Sequence, residues 1–317
     1  MAEAARRRIL VTGANGQVGW ELRRSLQPMG EVIATEFDLQ SGAAQHALNL
    51  ADPNAIRALV RELQPQLIVN AAAYTAVDQA EDDVDLAMAI NAVAPGVLAE
   101  EAKRCGAALV HYSTEYVFDG TKSSPYTEAD QPNPLSVYGR SKLAGEQAIE
   151  QVAGAHLIFR TSWVYGARGK NFLLTILRLA RERSELKVVD DQFGAPNWSR
   201  MLAEATAQVL ATQFGGAAAP DREWAAVLAR LQAVSGLYHL SASGASSWCN
   251  FARNIVEAAI AKGGSPCEVK GITSDQYPTR ARRPQNSRLS TDKFTRTFGL
   301  SLPAWDEALR LCLEDVM

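Results

Sequence analysis

Cysteine is scarce and scattered. Cys105, Cys249, Cys267 and Cys312 are the only four in 317 residues. No two stand at C-x-x-C spacing, which excludes a zinc knuckle or redox pair of that type. The four histidines also lack ligand spacing. Positive charge is not in excess: 32 Lys and Arg against 35 Asp and Glu leave a formal net charge of −3, so no basic field draws in a nucleic acid. The dense basic runs are Arg6 to Arg8 and "RARRP" at 280–284. The first reads as solvated arginines, and the second stays open between a solvated loop and a phosphate contact. No stretch is long and apolar enough to cross a bilayer, and the first arginines lead directly into "ILVTG" without an apolar signal region. A cytoplasmic protein with neither a membrane nor a nucleic-acid partner is expected. There is no internal repeat and no low-complexity segment.

What is present is ordinary globular composition, 47% hydrophobic and 21% charged, enough for a large core and two domains. Up to about residue 165, short apolar runs alternate with amphipathic helical patterns. The runs "RILVTG", "EVIATE", "QLIVNAAA", "AALVHYST" and "HLIFRTSWVYG" are nearly continuously apolar, as expected of parallel strands buried on both faces. Strand and helix in alternation predict a Rossmann-type, doubly wound α/β sheet. Beyond 168 the rhythm breaks into a short strand in "LKVVDDQFGAPN", a helix over 199–214, a surface loop in "QFGGAAAPDREWAAV" entering a helix, and a last sheet strand in "GLYHLSASG". The expected division is a dinucleotide-binding domain at 1–168 plus about 198–243. A smaller, interleaved α/β substrate domain takes about 169–197 plus 244–317.

"VTGANGQVG" sets Gly13, Gly16 and Gly19 three residues apart, with Gln17 and Val18 between them, where the first strand meets the first helix. Amides at a helix start attract phosphate, and glycines let a pyrophosphate and the helix come close. The same spacing also serves a plain tight turn. Some twenty residues on, Glu36 ends the second strand, where an acid can bind the adenosine ribose; no arginine lies in "TEFDLQSGAAQ" to offset its charge toward a 2′-phosphate. "NAAAYT" places Ala73, Tyr74 and Thr75 at another strand end, and the small residues leave room for a cofactor or for close packing. "HYSTEYVFDG" brings Tyr112, Thr114 and Glu115 to the same edge. After a Pro-rich loop, "SVYGRSKLAGE" puts Tyr138 and Lys142 on one helical face. That pair is either a surface contact or a phenol made more acidic by an ammonium.

Taken with "TGANGQVGWEL", "NAAAYTAVDQAE", "FRTSWVYG", "DQFGAP", "GLYHL" and "RRPQNSRL", this ordered set resembles the extended short-chain dehydrogenase/reductase family over nearly the whole chain. The resemblance implies NADPH or NADH as cofactor, with a nucleotide-linked 4-keto-6-deoxy sugar, dTDP-4-dehydro-β-L-rhamnose, reduced at C4. Tyr138 would be the acid, Lys142 its partner, and Thr114 a hydrogen-bond neighbour of the reacting oxygen. Glu115 and Trp163 would fall beside the sugar, with Trp163 stacked on its face and some of Arg282, Arg283 and Arg288 on the diphosphate. Asn49 and Leu50 would meet the adenine. Two positions depart from the family pattern: Glu115 stands for an aspartate, and Asn49 for an acidic residue. A Mg2+ ion and a homodimer are carried from the resemblance alone. Dehydratases of the family follow the threonine with two acids, whereas Glu115 here precedes Tyr116. An epimerase and a non-catalytic NAD(P)-binding regulatory subunit remain open alternatives. Glu36 without a basic companion predicts NADH to serve at least as well as NADPH.

Overall fold

The computed structural model describes residues 6–39, 42, 44–214 and 224–317. Its centre is a sheet of seven strands: Arg8–Thr12 (β1), Glu31–Glu36 (β2), His46–Ala47 (β3), Leu67–Asn70 (β4), Ala108–Thr114 (β5), His156–Thr161 (β6) and Gly236–His239 (β7). They lie in the order β7-β6-β5-β4-β1-β2-β3, and every pairing is parallel. The order reverses between β1 and β4, which opens a crevice at the carboxyl ends of the strands.

Alternation along each strand feeds both faces of the sheet core. Leu10, Ile33, Ile68, Leu109 and Ile158 face one way, onto the helices Pro53–Leu63 (α2), Ala94–Cys105 (α4) and Val137–Val152 (α5). Ile9, Val11, Val69, Val110 and Phe159 face the other way, onto Gln17–Ser25 (α1) and Ser199–Phe214 (α7), which the Trp224–Ala233 helix (α8) flanks. The helix expected around 84 to 105 is one run, Val84–Met88 (α3) passing through a π-helical turn, Ala89–Val93, into α4. β3 has two residues, too few for a periodicity to reveal.

A second core gathers Tyr165, Leu173, Ile176, Trp198, Phe251, Ile255 and Leu309 among helices Phe172–Glu182 (α6), Trp248–Ala261 (α9) and Trp305–Val316 (α11). The strand Glu185–Val189 pairs in parallel with Glu268–Ile272 beside it. The helix Asp292–Phe298 (α10), which lies beyond the expected division at 244, buries Phe294 in the sheet core, edge-to-face on Phe159 at 6.0 Å. Residues 215–223 of the expected surface loop lie outside the described residues. Among those described, no helix is long and apolar enough to cross a membrane.

Candidate active site

The crevice is a cleft of about 1000 Å³. Gly13 turns the chain out of β1 with φ +69°, and an added Cβ there would meet the Ala72 backbone at 2.8 Å. A Cβ on Gly19 would lie 2.0 Å from the Gly13 carbonyl oxygen, so the turn and the start of α1 are pressed together as only glycine permits. Helix α1 has Gly16 at its N-cap, no side-chain acceptor for its first amides and no acid in its first turn. Those N–H groups suit an external anion. Gly13, Gly16, Gln17 and Val18 line the cleft, whereas Gly19 is buried beneath it.

On the β2 side the cleft is lined by Glu36, Asn49 and Leu50. Glu36 does have a basic neighbour, contrary to the local sequence reading. Arg23, from α1, has its basicity lowered by burial and by Arg24, and the Glu36 carboxylate acts in the opposite direction. Ala73 and Thr75 line the cleft, but Tyr74 does not. Its hydroxyl donates to Asp83 at 2.7 Å, and, like Tyr138, it packs against the cluster of Ala80, Ala87 and Val137. Its backbone is tied through N–H and C=O to the Asn91 amide in the π turn, at 2.9 and 3.0 Å.

Helix α5 is fixed at both ends of its functional face. Ser136 caps it by accepting the Gly139 amide at 3.1 Å, the Val137 N–H donates to Glu81 at 2.8 Å, and Glu146 takes a bidentate grip from Arg160 of β6 at 2.8 and 2.6 Å. Glu146 and Arg160 are both 3% exposed at their side chains, so the pair is fully desolvated and specifies register more than it adds stability. Tyr138 and Lys142 thereby both face the cleft. Lys142 donates to the Tyr112 carbonyl at 2.6 Å and meets His111 Nε2 at 3.1 Å. Burial brings Lys142 down to about 8, with Glu146 acting in the opposite sense.

Tyr138 differs from the expectation that the lysine would make it more acidic. Burial raises the phenol most, the Glu115 carboxyl adds to this, and a hydrogen bond with Thr114 partly offsets both. The lysine nitrogen is engaged by Tyr112 and His111 instead. Thr114 Oγ1 also donates to Glu115 at 2.8 Å, so the longer acid folds back onto its neighbour. Burial pushes the Glu115 carboxyl up to about 7. Tyr112 reaches the cleft, but its ring belongs to the sheet core and its hydroxyl meets Thr206 at 2.6 Å.

Trp163 lines the cleft with its backbone at φ +46°, yet its ring is not free to stack on a ligand. Trp248 covers one face at a centroid distance of 3.6 Å and 12° between planes. A Cβ on Gly194 would stand 2.7 to 3.0 Å above the indole atoms Cε2, Cζ2 and Nε1, which places Gly194 against the ring face. What remains for the cleft is an indole edge. Of the three arginines, Arg283 reaches the cleft, held by Asp78 at 2.7 Å. Arg282 is exposed elsewhere, and Arg288 braces Asn286 and the Ser123 carbonyl. Sequence reasoning missed Arg23, His111, Trp248 and Tyr116, whose ring meets Tyr138 edge-on at 5.5 Å. For His111 a signal existed: it is a titratable residue inside an apolar run. No group of three or more His, Cys, Asp or Glu among the described residues could hold a metal ion, which leaves the expected Mg2+ without a site there.

Residues 7–317 match the family model described as RmlD substrate binding domain. The dTDP-4-dehydrorhamnose reductase of Burkholderia thailandensis is 48% identical over 98% of this chain and 99% of its own length. The Escherichia coli enzyme of the same name is 44% identical, covering 97% of both chains. A crystal structure of dTDP-4-dehydrorhamnose reductase from Bacillus anthracis in complex with NADP superposes with a TM-score of 0.82 at 32% identity, over 98% of this chain and 99% of that one. Glycine turn, strand-end threonine, tyrosine and lysine thus sit in one cleft of a chain that matches these enzymes from end to end, and the chain belongs to the dTDP-4-dehydrorhamnose reductase family.

Proposed function

We propose that the chain reduces the C4 keto group of dTDP-4-dehydro-β-L-rhamnose with NAD(P)H, giving dTDP-β-L-rhamnose. The observation that carries this reading is the convergence of Thr114, Tyr138 and Lys142 on the cleft that also receives the uncapped start of α1. The relatives that bear this activity in their name cover nearly the whole chain, and the Bacillus anthracis protein holds NADP.

The residues fit a dinucleotide. The free first-turn amides of α1 take the pyrophosphate. Lys142, engaged by the Tyr112 carbonyl and by His111, turns its remaining donor to the ribose. Glu36 suits the adenosine ribose hydroxyls, and the nearby Arg23 guanidinium offers a partner for a 2′-phosphate, so both donors are accepted. A bound reduced nicotinamide supplies the hydride. As negative charge develops on the C4 oxygen, Tyr138 gives it the phenolic proton and the Thr114 hydroxyl orients it. The elevated Tyr138 pKa suits this direction, because reduction requires a phenol that is still protonated. Glu115 is a single carboxyl with no acid after it, which leaves no pair for acid and base in a dehydration. Arg283, pre-set by Asp78, serves the substrate diphosphate. Purified protein should oxidise NAD(P)H when a dTDP-linked 4-keto-6-deoxy sugar is added. Oxidation at the same rate without the sugar, or none with it, contradicts the reading.

A further inference from the structure

At one level of the sheet, β1, β4 and β5 carry buried polar side chains next to one another. Thr12 of β1 lies beside Asn70 of β4, and Asn70 beside His111 of β5. Each is 1% exposed, as is Lys142. They form a single line. Thr12 Oγ1 is 2.6 Å from Asn70 Oδ1, Asn70 Nδ2 is 3.0 Å from His111 Nδ1, and His111 Nε2 is 3.1 Å from Lys142 Nζ.

The direction of this line follows from its lengths. A separation of 2.6 Å is ordinary for O–H···O and short for N–H···O. Thr12 Oγ1 also accepts the Ala72 amide at 3.4 Å, which leaves its own proton to donate. The Thr12 hydroxyl therefore points at the Asn70 carbonyl oxygen, and Asn70 presents its N–H to His111 Nδ1. A neutral imidazole carries one ring proton. With Nδ1 accepting, that proton sits on Nε2 and faces Lys142. A nitrogen met by a donor can answer only with a lone pair, so this arrangement favours the lysine as an amine. Its two protons then go to the Tyr112 carbonyl and to the cleft.

We propose that His111, held in its Nε2–H tautomer by Thr12 and Asn70, is a positioning residue that disfavours the Lys142 ammonium in the cofactor-free enzyme and so keeps Tyr138 a phenol. In the reductase reading, on which this consequence for catalysis rests, the phenol is the form that carbonyl reduction consumes. Burial acts in the same sense, holding His111 well below its ordinary value and lowering Lys142. The titratable groups around the lysine are His111 from β5, Tyr138 and Glu146 one turn either side on α5, and Glu115 after β5. Glu146 is neutralised by Arg160 of β6.

The direct test is 15N NMR of the histidine side chains in the full chain at neutral pH, assigned by replacing each of the four in turn. A protonated Nε2 and a bare Nδ1 at His111 are expected. The opposite tautomer, or a doubly protonated ring, overturns the proposal. This readout needs no substrate, so it stands or falls separately from the reductase reading. The second arm is His111→Gln, whose amide oxygen can accept from an ammonium. With Lys142 then charged, the basic limb of kcat/KM for the cofactor, which reports the free enzyme, should move to lower pH by about one pH unit. A uniform loss of kcat/KM with the limb unmoved would mark His111 as merely structural and defeat the proposal.

Discussion

Replacing Glu115 with Gln should make the protein less sensitive to alkaline pH. The carboxyl is 2% exposed, and burial carries it from the ordinary 4.5 to about 7. Because the folded-state value is raised, the folded protein binds more protons at this site than the unfolded chain does between those two values. Stability from this group is therefore full below about pH 4.5 and declines as pH rises through about 7. The whole decline amounts to about 3 kcal/mol. Gln keeps the shape and can still accept the Thr114 hydroxyl, but it does not titrate. Urea unfolding of both proteins at pH 5 and pH 8 gives four stabilities. The drop from pH 5 to pH 8 should be larger in the wild type by about 2.5 kcal/mol, since part of the decline is already complete at pH 5, with all other titrating groups cancelling in the comparison. Equal drops would show that Glu115 is not held as a neutral acid in the folded state. The inference that its burial dominates its Thr114 contact would then be refuted.

Tyr138→Phe should keep NAD(P)H binding, followed by fluorescence titration, while kcat falls roughly two to four orders of magnitude, the usual worth of a positioned acid. Near wild-type turnover would remove Tyr138 from the mechanism. Gly194→Ala places a methyl group 2.7 Å from the Trp163 ring and should displace the indole at a cost of roughly 1–3 kcal/mol. The effect should appear as a higher KM for the sugar nucleotide with an unchanged cofactor Kd, and a changed cofactor Kd alone would place Trp163 at the other ligand. Arg23→Gln should lower kcat/KM for NADPH about tenfold while leaving NADH nearly unaffected, as expected for losing one charge-assisted contact. Equal effects on both donors would take Arg23 away from the 2′-phosphate.

Much of the frame was legible because buried parallel strands must read as apolar runs and helices as a 3.6-residue rhythm. β1, β2, β4, β5 and β6 all show this, and the glycine turn, Thr114, Tyr138 and Lys142 follow from their places at strand ends and on a helix face. What escaped is set by pairing between distant segments. Arg23 meets Glu36 only because α1 passes the end of β2, which a search near Glu36 cannot see. Trp163 spends its faces on Trp248 and Gly194, so an aromatic that reads as a sugar platform is a packed element of the cleft wall. Tyr74 turns its ring to α5 because Asn91 clamps its backbone from a π turn that no periodicity announces. α10 returns to the sheet because Phe294 finds Phe159, although the strand Glu268–Ile272 before it and α11 after it pack in the second core. The Lys142 partner was visible as a histidine in an apolar strand, but its meaning depended on the register that sets Thr12, Asn70 and His111 side by side.

Stereospecific reduction at C4 can be read by following the hydride itself. With nicotinamide cofactor deuterated at the transferred position and dTDP-4-dehydro-β-L-rhamnose, the isolated product should be dTDP-β-L-rhamnose carrying deuterium at C4, as read by proton and deuterium NMR. Deuterium at C4 in the opposite configuration, or a sugar altered without gaining deuterium, would contradict the account.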